Sequence, residues 1–186
     1  MRLAIGCDEA ALELKQVLKG FLTAQTAVPV ELADFGTPSP QPVDYPDIAI
    51  QVAEAIAEGR YDRGILLCGT GLGMAIAANK VAGIRAATCH DVYSAERAQR
   101  SNNAQIITLG ARVIGPELAK LVVASWLNTH FDGGTSAQKV AKIVAIEQKY
   151  LRNPCRLASL GSHSGATAAT DSPGEFRACE SSPNPS

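Results

Sequence analysis

Three glycines in five positions, immediately behind a run of large apolar residues, constrain this chain more than anything else in it. Ile65-Leu66-Leu67 reads as a buried strand and Cys68 ends it. Gly69-Thr70-Gly71-Leu72-Gly73 follows and opens onto the small-residue segment Met74 to Lys80. Glycine lets the backbone turn sharply and leaves its N–H groups bare. At the start of a helix such groups form a cradle for an anion. In a parallel sheet this junction falls on the edge where α/β proteins place their chemistry. A thiol beside an oxyanion cradle points to proton transfer, or to nucleophilic attack, on a substrate that becomes an oxyanion. The bland reading is a buried structural cysteine next to a turn that needs glycine. The spacing is Gly-x-Gly-x-Gly. That is neither the Gly-x-Gly-x-x-Gly of dinucleotide folds nor a P-loop, and it does not follow the first strand. A small phosphorylated or carbonyl-bearing substrate is therefore favoured over a nucleotide.

The rest of the chain supplies a regular frame for that loop. Strands are expected at Leu3 to Gly6, Val30 to Phe35, 65–67, Arg85 to Cys89 and Ile106 to Leu109. Helices are expected at Ala10 to Thr23, Ile48 to Glu58, Gly73 to Lys80, Val92 to Arg100, Gly115 to Asn128 and Val140 to Leu151. Four prolines (38, 40, 42 and 46) make Thr37 to Pro46 a stiff, non-helical loop. Strands that alternate with helices predict an α/β, three-layer Rossmann-like fold with a five-stranded parallel sheet.

Composition removes several function classes. A net charge of −1 gives no electrostatic footprint for nucleic acid or membrane. No apolar run approaches the ~18 residues of a membrane span. The chain opens directly on a strand, so no signal peptide is expected. Five irregularly spaced cysteines show no zinc pattern and suit a reducing, cytoplasmic setting. Three histidines (90, 130 and 163) give no basis for a metal site. Hydrophobic residues make up 46% of the chain, enough for one full core. Near Asn153 the character changes to Ser, Ala, Gly, Pro and Thr without periodicity. Residues 1–152 are read as one domain and 153–186 as a disordered tail.

Several segments, in order from residue 1 to about 150, resemble the ribose-5-phosphate isomerase B and galactose-6-phosphate isomerase family. They are Ala4-Ile5-Gly6-Cys7-Asp8, Val43-Asp44-Tyr45-Pro46, Leu67 to Gly73 with Ala77-Ala78-Asn79-Lys80, Gly83-Ile84-Arg85-Ala86, and Leu109 to Gly115. The resemblance implies an aldose–ketose isomerase of a small sugar phosphate. It implies a homodimer or homotetramer, and no metal or cofactor. By resemblance Cys68 is the base that moves a proton between C1 and C2, with Thr70 close to the reacting carbons. Gly69, Gly71 and Gly73 hold the cis-enediolate, Asp8 and Tyr45 contact the sugar, and Asn102 and Arg112 bind substrate, partly across the dimer interface. The chemistry suits these residue types. Charge develops on oxygen, so fixed backbone donors matter most, and helix N-termini favour thiolates. Plainer readings stand beside these: Asp8 as a helix cap, Tyr45 as loop packing, Arg112 in an interface ion pair.

The chain departs from the family pattern at the phosphate and ring-opening positions. Asp8-Glu9-Ala10-Ala11 replaces Asp-His-Ala-Gly. Ser101-Asn102-Asn103 replaces a His-Asn-Asp or His-Asn-Asn whose histidine opens the sugar ring. Gly133-Gly134-Thr135-Ser136 replaces Gly-Gly-Arg-His, and Lys139 replaces a second arginine. A pentose 5-phosphate closes through its C4 hydroxyl and must be opened first. A tetrose 4-phosphate carries its phosphate on that oxygen and cannot form that ring. The set Glu9, Ser101 and Lys139 therefore describes either a four-carbon substrate such as erythrulose 4-phosphate, or a pentose isomerase in which His90 opens the ring or merely caps the helix that follows it. A non-catalytic sugar-phosphate-binding paralogue and an enzyme using Cys68 as a covalent nucleophile are the readings from other classes.

Overall fold

The computed structural model describes residues 1–24 and 28–151. The expected tail at 153–186 lies outside the described residues. Five strands form one parallel sheet: β1 Arg2–Cys7, β2 Glu31–Asp34, β3 Arg63–Cys68, β4 Ala86–Thr88 and β5 Ile106–Gly110. Their order is β2-β1-β3-β5-β4. Six α-helices accompany them: α1 Leu12–Ala24, α2 Tyr45–Ala57, α3 Leu72–Ala78, α4 Val92–Asn102, α5 Pro116–Leu127 and α6 Gly134–Leu151. The expected α/β architecture and its five parallel strands are as the sequence predicted.

Alternation along the strands divides the core between two faces. Leu3, Ile5, Ile65, Leu67, Ile107 and Leu109 face α1, α4 and α5, where Trp126 is fully buried. Ala4, Leu66, Cys68 and Ile106 face α2 and α3. Both faces are covered, so the central strands read as continuous apolar runs rather than alternating ones.

Two helices start three or more residues earlier than the sequence reading placed them. Helix α2 begins at Tyr45, so Tyr45 and Pro46 leave the expected loop and form its first turn. Proline is tolerated there because its missing N–H would have no helical partner. Helix α6 begins at Gly134 rather than Val140, after Gly133 and Gly134 at φ +67° and +54°. Its first turn is too polar to carry an apolar period, so the pattern shows itself only from Val140 onward.

The segment between β2 and α2 is tied down from below. Lys15 is almost fully buried (1% exposed), and its ammonium donates to Asp34 Oδ1 at 3.0 Å and to the Thr37 carbonyl at 2.8 Å. Losing one partner of such a buried pair typically costs about 3–5 kcal/mol. This charge fixes the path of the chain that leads to Tyr45.

Candidate active site

Strand order places the switch point between β1 and β3, whose connections leave in opposite directions. The candidate residues gather at that crevice. Asp8 directly follows β1, and its N–H donates to the Leu67 carbonyl at 3.2 Å. Its carboxylate also accepts from Ala10 N–H at 3.1 Å, so the capping reading of Asp8 holds alongside its place at the crevice. Cys68 ends β3 and is 6% exposed. Gly71 N–H donates to Cys68 Sγ at 3.0 Å, so the loop folds back over the thiol.

The loop conformation explains two of the glycines. Gly71 sits at φ +79°, and a Cβ there would come within 3.0 Å of the Leu109 backbone. A Cβ on Gly73 would lie 2.6 Å from ring atoms of Tyr45. Tyr45, at the start of α2, therefore lies directly over the loop. On the other side the Arg112 side chain passes over Gly69, 3.4 Å from where a Cβ would stand. Its chain is anchored by Arg112 N–H donating to the Gly69 carbonyl at 3.0 Å. Glu9 accepts from Val43 N–H at 3.2 Å and closes the crevice toward α2.

The electrostatics of this edge are lopsided. Arg112 is one cation against two carboxylates, Asp8 and Glu9. Burial pushes the Asp8 carboxyl above its usual range and Glu9 adds to the push, against the N–H groups of Ala10 and Ala11 and the charge of Arg112. Burial also pushes the Cys7 thiol up to about 11 and the Cys89 thiol up to about 12. Those two cysteines are neutral core residues near neutral pH. Among the described residues no three His, Cys, Asp or Glu side chains converge as metal ligands.

His90 does not cap the helix that follows it. Its Nε2 accepts from Gly110 N–H at 3.0 Å, beside the Cys68 end of β3. The cap of α4 is Asp91, whose Oδ1 accepts from Ser94 N–H at 2.7 Å. One imidazole nitrogen is thus spent on holding the end of β5, and no sequence signal foretold that partner.

Ser101, Asn102 and Lys139 are not at this edge. A helix that follows a parallel strand runs back toward the sheet's other end, and α4 closes there. Arg85, just before β4, donates to the carbonyls of Asn102 at 3.1 Å and Asn103 at 3.0 Å. Asp132 N–H donates to the Arg100 carbonyl at 3.3 Å, which brings the start of α6 to the same end. Further along α6, both Glu147 carboxylate oxygens accept from Gly83 N–H at 3.0 Å, again before β4. Lys139 lies between these anchors. The five residues of β5, at about 3.3 Å each, separate the two ends by roughly 15 Å. The candidate residues of one chain thus fall into two groups: Asp8, Glu9, Tyr45, Cys68, Gly69, Thr70, Gly71, Gly73 and Arg112 at one end of the sheet, and Ser101, Asn102 and Lys139 at the other. Within one chain, the Arg112 side chain lies on the Cys68 side, over Gly69.

The sequence and the fold are similar to those of known proteins. The sequence profile of the Ribose/Galactose Isomerase family matches residues 3–143. The chain is 54% identical over 143 residues to D-erythrulose-4-phosphate isomerase of Pectobacterium atrosepticum, covering 77% of this chain and 93% of that one. It is 52% identical over 149 residues to ribose-5-P isomerase B of Listeria innocua, covering 80% and 99%. Ribose-5-phosphate isomerase B of Clostridium thermocellum superposes with a TM-score of 0.77 at 47% identity, over 81% of this chain and 99% of that one. The parallel α/β fold, the glycine-rich loop at its switch point and these matches together mark a sugar-phosphate isomerase. The chain belongs to the ribose/galactose isomerase family.

Proposed function

We propose that this isomerase interconverts a four-carbon ketose phosphate and its aldose, D-erythrulose 4-phosphate and D-erythrose 4-phosphate, in a site shared between two copies of the chain. The carrying observation is Ser101 together with the engagement of His90. A serine hydroxyl held by the neighbouring Arg97 is a poor acid or base for ring opening. His90 Nε2 already accepts from Gly110 N–H. A substrate that cannot close through its C4 oxygen needs neither.

In this reading Cys68 removes a proton from C1 of the ketose and returns it to C2. A second proton moves from O1 to O2, so the reaction is balanced without a cofactor. Negative charge resides on oxygen in the cis-enediolate, where loop N–H groups and Arg112 act on it. Thr70 lies next to the reacting carbons, Tyr45 and Asp8 hold sugar hydroxyls, and Glu9 shapes the far wall. The lopsided charge supports the shared site. One arginine against two carboxylates does not hold a phosphate dianion, and the cationic half-site is at the opposite end of the chain. Exposed Leu72 and Ile76, at 56% and 64%, flank the loop and offer apolar surface to a partner. A homodimer is therefore the smallest active unit. Among the described residues, three free, buried thiols suit a reducing cytoplasm.

The test is an isomerase assay over tetrose, pentose and hexose phosphates. The expected result is a kcat/KM for D-erythrulose 4-phosphate equal to or above that for ribulose 5-phosphate. A tenfold or greater preference for ribose 5-phosphate would overturn the four-carbon assignment, and His90→Ala would then show whether that histidine opens the ring.

A further inference from the structure

Five of the seven described arginines have an ionic or main-chain partner inside the chain. Arg2, Arg60 and Arg100 pair with carboxylates, and Arg63 and Arg85 donate to main-chain carbonyls. Among the described residues Arg97 and Arg112 are the two whose guanidinium does neither. Arg112 lies over Gly69 in the crevice. Arg97 is half-buried on α4, and its Nη2 donates to Ser101 Oγ one turn further on. Arginine carries five N–H donors in a planar fork, so one bond to a hydroxyl leaves most of that fork free. A half-buried cation with no anion is a costly thing to keep unless something anionic comes to it.

We propose that Arg97 is a substrate-binding residue that grips the phosphate of the short sugar in the partner copy's site. This rests on the shared-site reading above. Arg97 stands at the same end as Asn102 and Lys139, the half-site that must supply positive charge. The contact with Ser101 explains how it fits: the guanidinium occupies space beside position 101 that a larger side chain would take. A bidentate guanidinium suits phosphate oxygens better than the single ammonium of Lys139. Ser101 thus does more than omit a ring-opening group. It makes room for a cation and holds it over the place where a shorter substrate ends.

The test is steady-state kinetics of full-length Arg97→Leu and Arg97→Lys with D-erythrulose 4-phosphate, with inorganic phosphate as competitive inhibitor. Arg97→Leu should raise KM about 10- to 100-fold, the usual scale for a hydrogen bond to a charged group. The inhibition constant of phosphate should rise in parallel, kcat should fall by less than about threefold, and Arg97→Lys should recover part of the loss. Both variants should melt within about 2 °C of the parent, because α4 loses one surface contact. Hybrids of Arg97→Leu with Cys68→Ala subunits should regain the parental KM, since one of their two sites then holds both native residues. An unchanged KM in a dimeric Arg97→Leu protein overturns the role of Arg97 alone. A raised KM that hybrids do not correct overturns its action on the partner's substrate. An active monomer, seen by light scattering, overturns the shared site and this proposal with it.

Discussion

Two aspartates at the residue scale pull in opposite directions with pH. Asp8 has its folded pKa raised, with burial the main cause and Glu9 next. A raised carboxyl gives stability that is full below the unfolded value of about 4 and is lost as pH rises through the folded value. At neutral pH its charge is therefore a net cost to the fold. Asparagine keeps the oxygen that accepts from Ala10 and drops the charge. Asp8→Asn should raise the melting temperature by about 1–4 °C at pH 7 while cutting kcat/KM at least ~10-fold. A lower melting temperature would show that Asp8 is held mainly by Arg112. Asp34 is the reverse case. Burial pushes it up, but hydrogen bonds from Lys19 and Lys15 prevail and hold it below its usual range. Its stabilising effect is present above about pH 4 and fades as pH falls through the depressed value. Asp34→Asn should thus cost several degrees at pH 7 and much less near pH 3, read by thermal melts at both. For the thiols, Cys68→Ala should lower turnover at least ~100-fold with the fold intact, the scale of a lost general base. Cys7→Ala should keep most of the activity, and equal losses in the two variants would dismiss Cys68 as the base.

At the scale of elements, the glycine loop separates strain from contact. Gly71→Ala meets both a left-handed φ of +79° and the Leu109 backbone, neither of which can give way. It should destabilise the fold by about 1–3 kcal/mol. Gly73→Ala meets only the outer end of the Tyr45 ring, which can swing aside. It should leave the melting temperature near normal and raise KM, because Tyr45 leaves the crevice. Chemical denaturation and kinetics on the pair distinguish the two, and a Gly73→Ala protein with unaltered KM would remove Tyr45 from the site. The loop itself was legible in the sequence, because three glycines after Ile65-Leu66-Leu67 have few other uses. The sheet was legible too, from buried runs between helical periods. The placement of Ser101, Asn102 and Lys139 was not. Sequence order says nothing of which sheet end a residue reaches until the crossovers are known, and resemblance gathers into one site what a single chain holds at two ends. Arg97 gave no signal at all, since an arginine on an amphipathic helix is ordinary until its partners are counted.

On the scale of the whole molecule, the shared-site reading makes a single chain incomplete, and α6 bears on it most directly. None of its 18 residues is buried. Yet Ile143, Ile146 and Tyr150 follow one another at helical spacing and are 46%, 57% and 47% exposed. A helix with a half-exposed apolar stripe is more stable when another surface covers the stripe. In the shared-site reading that surface belongs to a second copy, and covering the stripe also delivers Lys139 and the end of α4 to the other copy's crevice. Charge on the stripe should undo both at once. Ile143→Asp combined with Ile146→Asp should give a monomer by light scattering. Its helical circular dichroism should stay close to the parent's, because the sheet core involves neither residue. Its turnover should fall at least ~30-fold, although Cys68, Thr70 and Arg112 are untouched and lie at the other end of the sheet. The parent should likewise lose specific activity on dilution once dimers dissociate, with a midpoint that sugar phosphate shifts to lower protein concentration, because a ligand bound across the interface stabilises the dimer. A monomeric double variant with parental turnover would mean that one chain suffices, and that the cation for the phosphate must be sought at the Cys68 end.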